Sequence, residues 1–252
     1  VSNAEAARMA AQDDSIAAIA GEKAGIIKKN TPVITGAKQP AAIRVVEGKA
    51  AQMQAPCHRQ GPDFRCRRHK DGKFNYYGLD HKWFGLATPL LGEHQVANAS
   101  LALAAAEALM RKGFSIEEDH VRQGLMATTW PGRLETVCEK PHIILDGAHN
   151  LAAARNLGRY LKNHLKDRRI LLVVGILDDK PYNGMLSALL PACRRAIITA
   201  PQIVLAGAVE ADAAAGNLAA LSVEGVKLEK TFYVAIAKGL PESALPALLA
   251  HL

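Results

Sequence analysis

Residues 143–155 have the sequence Ile-Ile-Leu-Asp-Gly-Ala-His-Asn-Leu-Ala-Ala-Ala-Arg, which predicts a short buried strand, a sharp corner and a helix capped by Asn150. Open α/β sheets bind ligands beyond the carboxyl ends of their strands, where a helix N-terminus offers unpaired N–H groups to an anion. There Asp146 could hold a hydroxyl or a metal-bound water, and His149 could donate to a phosphate or a carboxylate. The alternative is that Asp146 and Asn150 are only turn and cap residues.

The composition predicts a globular protein without a membrane span. The chain has 252 residues, of which 49% are hydrophobic, enough for one large domain or two smaller ones. No apolar run approaches the ~18 residues of a span, and no charged-then-apolar leader is present. Four widely spaced cysteines favour free thiols in a reducing cytoplasm. The formal charge of +7 fits anionic small substrates or nucleic acid, without choosing between them.

The first half of the chain is predicted to be mainly helical. Helices are expected over residues 2–20, 39–54 and 116–126, with a long helix that opens after Pro89 and ends near Lys112; a short strand is expected within 31–36. Between them, residues 57–77 combine a basic run with aromatic residues. This pattern favours a solvated β-hairpin that turns at Asp71-Gly72, with a nucleic-acid surface as the alternative. The cysteines and histidines in this run lack the spacing of a zinc site.

His94 and Asn98 lie four residues apart in the long helix, so they share one face. The rest of that helix is almost entirely Ala and Leu, which predicts that it is buried. A buried Asn needs hydrogen-bond partners, and the donor and acceptor on an adenine edge would satisfy its amide. The alternative is a bond to a neighbouring backbone group.

The turn signal Pro131-Gly132 predicts a domain boundary, with one domain over 1–130 and another over 131–252. Arg133, in this linker, is placed to clamp a phosphate. Lys180, after the second predicted strand, could reach a ligand shared with Asp146, or it could be a solvated charge. Beyond the boundary, strands alternate with helices, which predicts an α/β fold with a parallel sheet between helices. The strands are expected at 142–145, 169–175, 194–200 and 225–229, and the helices at 150–165, 181–192, about 208–221 and 232–239.

Four motifs occur in a fixed order: Glu-Lys-Ala-Gly-Ile at 22–26, Gly-x-His-Gln-x-x-Asn-Ala at 92–99, Pro-Gly-Arg at 131–133 and Asp-Gly-Ala-His-Asn at 146–150. Together with Asp179-Lys180, they make the chain resemble the folylpolyglutamate synthase/dihydrofolate synthase family of Mur-ligase-like enzymes over about residues 15–200. The resemblance implies the back part of a Mur-ligase-like ATPase domain over 1–130 and a Rossmann-like glutamate-ligase domain over 131–252.

This resemblance implies an ATP-dependent amide ligase that uses Mg²⁺. ATP phosphorylates a carboxylate of a folate or of dihydropteroate, and the amine of L-glutamate then displaces phosphate from the acyl phosphate. By the same resemblance, Asn98 holds the adenine, Arg133 contacts the ATP phosphates and Asp146 binds on the nucleotide side. Lys23 matches a carbamylated lysine that supports the magnesium ion, and His149 matches a histidine near the reacting groups.

The sequence also departs from the family pattern. It contains no Gly-x-x-Gly-Lys-Ser/Thr phosphate-binding loop, which implies a partial ATPase domain. An ungapped alignment puts Arg8 where the family has a magnesium-binding histidine, so no metal ligand is assigned. His94 and Lys180 are further candidate contacts for substrate or phosphate.

The predicted partners are small molecules, namely folate or dihydropteroate and L-glutamate. A monomer in the cytoplasm is expected, without membrane or nucleic-acid partners. Two alternatives to an active ligase are an inactive family remnant that binds a nucleotide or a partner, and a basic protein that binds nucleic acid through the 57–77 hairpin.

Overall fold

The computed structural model describes residues 15–177, 180–199, 218–220 and 233–237. The chain divides into one unit of Val1–Pro89 with Gln95–Thr128 and another of Leu90–His94 with Thr129–Leu252. Residues 15–24 form helix α1, which overlaps the helix expected over 2–20 and continues four residues beyond its expected end, whereas Arg8 lies outside the described residues. Across the described part of the chain, no helix has the length and apolar character needed to cross a bilayer.

The first unit begins with a small βαβ element. Strand β1 (Val33–Thr35) pairs in parallel with β2 (Cys57–Arg59), and α2 (Pro40–Gln52) connects them. Pro40 suits the first turn of α2 because its missing N–H would have no helical partner there. Both β1 and α2 match the sequence prediction, and Ala50 of α2 packs in a small core with Ile27 of the segment after α1.

A three-stranded antiparallel sheet follows, formed by β3 (Arg65–Arg68), β4 (Phe74–Tyr77) and β5 (Lys82–Leu86). The predicted hairpin is confirmed, since Gly72 turns between β3 and β4 with φ +87°, which favours glycine, but the expectation that it is solvated is wrong for the face that carries Phe74 and Tyr76. One face of this sheet is buried in a core shared with the next helices. Those helices are α3 (Glu93–Met110) and α4 (Glu118–Met126), close to their predicted bounds.

Helix α3 is buried on one face only, so the prediction of burial all round is wrong. Leu103 and Ala104 are in the core, whereas Asn98 and Leu109 are exposed. Many of its residues are alanines, and an alanine can lie on either face of a helix at little cost, so the Ala-rich pattern does not define a buried face.

The buried carboxylate of Glu107, on the inner face of α3, holds the loop between β4 and β5. It accepts hydrogen bonds from the Tyr76 hydroxyl at 2.5 Å and from the backbone N–H groups of Leu79, Asp80 and His81 at 2.6–2.9 Å. Glu107 is fully buried, and these donors satisfy a charge that would otherwise be costly to bury.

The second unit contains a six-stranded sheet in the order β10-β9-β8-β11-β7-β6. Strands β7, β8, β9 and β10 run parallel, and β11 lies antiparallel between β7 and β8, while β6 lies antiparallel at the edge. Their bounds are Glu135–Glu139 for β6, His142–Asp146 for β7, Ile170–Gly175 for β8, Arg195–Thr199 for β9, Leu218–Ala220 for β10 and Tyr233–Ala237 for β11. Helices α5 (Leu151–His164) and α6 (Tyr182–Leu189) pack in its main core.

The α/β class is confirmed, but three details of the prediction are wrong. The sheet is mixed rather than parallel, residues 233–237 form β11 instead of a helix, and residues 218–220 form β10 instead of a helix end. Tyr233, Val234 and Ile236 are aromatic or β-branched and favour a strand. The alternation of strands and helices predicts a helix here, but this local preference for a strand prevails. The strand expected over 225–229 lies outside the described residues.

Candidate functional site

The corner after β7 has the predicted strand–loop–helix form. Ile143 and Ile144 are buried in the sheet, which places Asp146 at its carboxyl edge. Asn150 is extended, with φ −147°, and its side-chain oxygen accepts a hydrogen bond from Ala153 N at 2.9 Å. The predicted N-cap is therefore confirmed, and it fixes where α5 begins.

The structure brings the Pro-Gly-Arg and Asp-Gly-Ala-His-Asn motifs together. Leu134 N donates to Asp146 Oδ2 at 3.0 Å, and Ala148 N donates to Asp146 Oδ1 at 3.0 Å. Gly147 N also donates to Gly132 O at 2.6 Å. Both carboxylate oxygens of Asp146 thus hold the backbone of two loops, as the turn-residue interpretation expects. The two loops form one hydrogen-bonded unit at the carboxyl edge of β7.

Arg133 lies between two residues of unusual backbone conformation. Gly132 has φ +68° and Leu134 has φ +47°, a region that L side chains seldom adopt. Leu134 is 3% exposed, so its buried side chain and its N–H bond to Asp146 offset the strain. The strained turn fixes the backbone that carries Arg133.

Two opposite charges meet at this corner. Burial raises the pKa of Asp146, although its two backbone N–H donors and Arg133 act in the opposite direction. The Arg133 guanidinium carbon also lies 5.2 Å from the ring centroid of Trp130, a cation–π contact. Trp130 is 59% exposed and Arg133 is half-buried, so this contact orients the guanidinium and leaves it partly open to solvent. Such a group can make paired hydrogen bonds to a phosphate.

His149 is exposed, and its ring orientation is set by the loop. Nδ1 lies 3.0 Å from Gly147 O, and a carbonyl oxygen only accepts, so the proton in this hydrogen bond is on Nδ1. In the neutral ring, Nε2 then carries the lone pair. The loop therefore presents a potential proton acceptor beside the start of α5.

His94 lies in a groove of the second unit. The groove is lined by Glu93, His94, Asn156, Arg159, Tyr160, Asn163 and His164. Burial lowers the pKa of His94, and the positive charges of Arg133 and Arg159 lower it further. His94 is thus disposed to be neutral near the two cations, where it could accept a hydrogen bond.

The predicted site residues of the first unit are both exposed. The Asn98 amide nitrogen donates to Gln95 Oε1 at 3.0 Å, so the expectation of a buried Asn98 is wrong, while its amide is accessible to a ligand. The Lys23 ammonium lies 3.3 Å from Glu22 Oε1, and its side chain is 75% exposed. In the second unit, Lys180 N donates to Leu177 O in the turn before α6, and Asp179 is not described.

Sequence reasoning missed three residues that position the predicted ones. Gln95 orients Asn98, Trp130 lies against Arg133, and Leu134 donates to Asp146. Gln95 could have been found because residues three apart are neighbours on a helix, and Trp130 because it adjoins the Pro-Gly turn. A leucine at positive φ leaves no sequence signal.

Comparisons with known proteins agree on one family. Residues 132–246 match the Mur ligase, glutamate ligase domain. The dihydrofolate synthase/folylpolyglutamate synthase of Bacillus subtilis is 37% identical over 181 residues, which are 70% of this chain and 42% of that protein. The Mycobacterium tuberculosis folylpolyglutamate synthase complexed with ADP is 35% identical over 82% of this chain and 49% of its own, with a TM-score of 0.72.

A solved FPGS–AMPPCP–folate complex is 32% identical, covers 82% of this chain and 53% of its own, and gives a TM-score of 0.66. The chain thus spans about half the length, or less, of the relatives it matches.

Proposed function

We propose, from its homology to the folylpolyglutamate and dihydrofolate synthases, that this chain acts in the ATP-dependent addition of L-glutamate to folates, to dihydropteroate, or to both. The relatives include a protein complexed with ADP and an AMPPCP–folate complex, which supports a nucleotide and a folate as ligands. We place the reaction in the cytoplasm, where the four free thiols would stay reduced, and we propose that the chain acts as a monomer.

The reaction proceeds in two displacement steps. A carboxylate oxygen of the folate or dihydropteroate attacks the γ-phosphorus of ATP, and ADP leaves with the electron pair of the broken P–O bond. The glutamate nitrogen then attacks the acyl carbon, loses a proton, and displaces inorganic phosphate as the amide forms. Both steps develop negative charge on phosphate oxygens, so the site must supply positively charged groups and N–H donors in fixed positions.

The observation that carries the proposal is the hydrogen-bonded pair of loops at the carboxyl edge of β7. The bond from Leu134 N to Asp146 and the bond from Gly147 N to Gly132 O fix the backbone on both sides of Arg133, and Trp130 lies against its guanidinium. We assign Arg133 to the ATP phosphates and Asp146 to the nucleotide side, where its carboxylate also maintains the loop. A pre-positioned guanidinium neutralises charge without reorganising during the reaction.

His149 is assigned to the amine of the incoming glutamate. With its proton on Nδ1, the ring has a lone pair on Nε2 that can take the proton released as the amide bond forms. His94 and Lys180 are assigned to substrate or phosphate contacts. The position of His94 in the same groove as Arg159 supports its assignment to such a contact.

The first unit is assigned the adenine and the metal. The exposed Asn98 amide, held by Gln95, offers a donor and an acceptor to the adenine edge. Magnesium would supply charge neutralisation at the phosphates. Among the described residues, no three His, Cys, Asp or Glu side chains are grouped as a metal site. A carbamate on the exposed Lys23 would replace an ammonium, which lies 3.3 Å from Glu22 Oε1, by an anionic oxygen donor of the kind that a hard cation prefers.

The test is a ligation assay with ATP, L-glutamate and either tetrahydrofolate or dihydropteroate, in magnesium and bicarbonate. We expect ADP and the glutamylated product to form in equal amounts, and only when all three substrates are present. Arg133→Ala should lower product formation at least ~100-fold, as removal of a single transition-state donor does in other enzymes. ATP hydrolysis without glutamylation, or ligation that is indifferent to Arg133, would contradict the proposal.

A further inference from the structure

The three-stranded sheet of the first unit has one buried face and one face of basic and aromatic side chains. Phe74, Tyr76, Trp83 and Leu86 are at most 4% exposed, and they define the inner face. The strand pairing sets Arg65 opposite Tyr77, Arg67 opposite Asn75, and Tyr77 opposite Lys82. Because paired residues point to the same side of a sheet, these side chains share the opposite face. The outer face therefore consists of Arg65, Arg67, Asn75, Tyr77, Lys82 and Phe84.

The aromatic rings of the outer face are held in place rather than scattered. Phe84 is 53% exposed, and its ring meets that of Tyr77 edge-on, with centroids 6.1 Å apart. The Arg65 guanidinium carbon lies 5.2 Å from the Tyr77 ring centroid. Single exposed apolar residues are common on protein surfaces, and Phe84 differs from them because its ring is ordered against Tyr77 on a face that also carries Arg65 and Arg67.

The charge of this region is positive and little compensated. Lys70 and Lys73, in the turn between β3 and β4, add positive charge beside the outer face. Two acidic residues close by are paired with other cations, and a third is held within the turn. Asp71 Oδ1 accepts from Lys73 N within the turn, Asp80 pairs with Arg111, and Glu118 pairs with Arg122 at the edge of β5. The residues assigned to the outer face include Arg65, Arg67 and Lys82 and no carboxylate, so its net charge is positive and favours an anionic partner.

We infer that the outer face binds single-stranded nucleic acid, with Phe84 and Tyr77 stacking on bases and Arg65, Arg67 and Lys82 contacting phosphates. Three strands give a face about 10 Å wide, which suits roughly two or three unstacked nucleotides. A duplex keeps its bases stacked inside, and an acidic peptide has no ring to stack, so neither uses the exposed phenylalanine. The sequence alone favours a solvated hairpin because it does not show that the rings and arginines share one face.

Two double variants of equal charge test this inference. Lys82→Ala/Phe84→Ala removes one cation and one exposed phenylalanine from the outer face. Lys112→Ala/Phe114→Ala removes the same two residue types from an exposed segment of the same unit, where Phe114 is 61% exposed. Circular dichroism of the whole chain would confirm that both variants fold.

Binding is measured by fluorescence anisotropy with a labelled oligouridylate of about 12 nucleotides, in salt from about 50 to 200 mM. We expect saturable binding that weakens steeply with salt. Lys82→Ala/Phe84→Ala should weaken it at least about tenfold, and the control variant less than about twofold. Four results would each overturn the inference: no binding by the parent chain, equal losses in both variants, tighter binding of the matching duplex, or equally Phe84-dependent binding of polyglutamate.

Discussion

The backbone N–H of Leu134 donates to the carboxylate of Asp146 at 3.0 Å, although the two residues are twelve positions apart and Leu134 has φ +47°. This bond joins the loop that carries Arg133 to the corner after β7. Asp146 therefore has a structural part in the site, because it determines where the Arg133 backbone lies. The effect of an Asp146 substitution on ligand binding therefore has two sources: the altered position of the Arg133 backbone and the loss of any direct contact between Asp146 and the ligand.

Replacing Asp146 should release the loop. In Asp146→Ala, the amides of Leu134 and Ala148 lose a charged acceptor, which is worth about 1.5–3 kcal/mol for each hydrogen bond. We expect hydrogen exchange at the Leu134 amide to be at least about tenfold faster, while amides of β8 remain protected. Asp146→Asn, which can accept from only one of the two N–H groups, should give an intermediate rate. Unchanged exchange at Leu134 would contradict the bracing role.

The ionisation of His94 should report on Arg133. Burial, Arg133 and Arg159 lower the pKa of His94 below its ordinary value of 6.5. Arg133→Ala should therefore raise that pKa in an NMR titration, whereas Lys162→Ala, at an exposed position on α5, should leave it unchanged.

The stability of the chain should also depend on His94. Because the pKa of His94 is lower in the folded chain than in the unfolded chain, the unfolded chain binds more protons than the folded chain just below pH 6.5. The contribution of His94 to the free energy of unfolding is therefore complete above pH 6.5 and is lost as the pH falls from 6.5 through the folded pKa. His94→Gln should abolish this part of the pH dependence.

The packing of α5 on α6 requires a glycine at 158. A Cβ there would overlap the backbone carbonyl oxygen of Ala188, which cannot move as a side chain could. Gly158→Ala should thus lower the free energy of unfolding by about 1–3 kcal/mol. In α2, a Cβ on Gly48 would meet nothing within 4 Å, so Gly48→Ala should raise it by about 0.5–1 kcal/mol. Urea unfolding of the two variants checks this, and equal effects of the same sign would refute it.

The sequence predicts the second unit well wherever local signals are strong. The cap at Asn150, the apolar strands β7 and β8, and the turn at Pro131-Gly132 follow from residue type and spacing. It fails where pairing between distant segments decides the outcome. The position of β11 between β7 and β8 depends on contacts across some 60 residues or more of chain, and an alternating pattern cannot show its direction.

The same distinction holds for the candidate site. Arg133, Asp146 and His149 are identified by motif, but the bond that joins Leu134 to Asp146 depends on a backbone conformation that leucine seldom adopts. The Ala- and Leu-rich sequence of α3 predicts a buried Asn98. The prediction fails because alanine does not show which face of a helix is covered. Exposure is what makes its amide accessible to a ligand.

The loop between β4 and β5 should depend on Glu107. Glu107→Ala leaves three backbone N–H groups and the Tyr76 hydroxyl without their acceptor, in a buried position. We expect a loss of roughly 3 kcal/mol or more in the free energy of unfolding. Glu107→Gln keeps the shape but turns an amide toward some of these donors, so its loss should be smaller. The account is wrong if urea unfolding gives the alanine variant the stability of the parent.

The most direct test of the central claim is ATP binding by titration calorimetry, with magnesium and bicarbonate present. Arg133→Ala is compared with Arg168→Ala, an exposed arginine of the same unit that follows the far end of α5, about 20 Å along the helix. We predict saturable binding by the parent chain, unchanged affinity in Arg168→Ala, and at least a tenfold loss in Arg133→Ala, about 1.4 kcal/mol. Equal affinities of the two variants, or no binding by the parent chain, would contradict the assignment of the loops around Asp146 and Arg133 to the nucleotide.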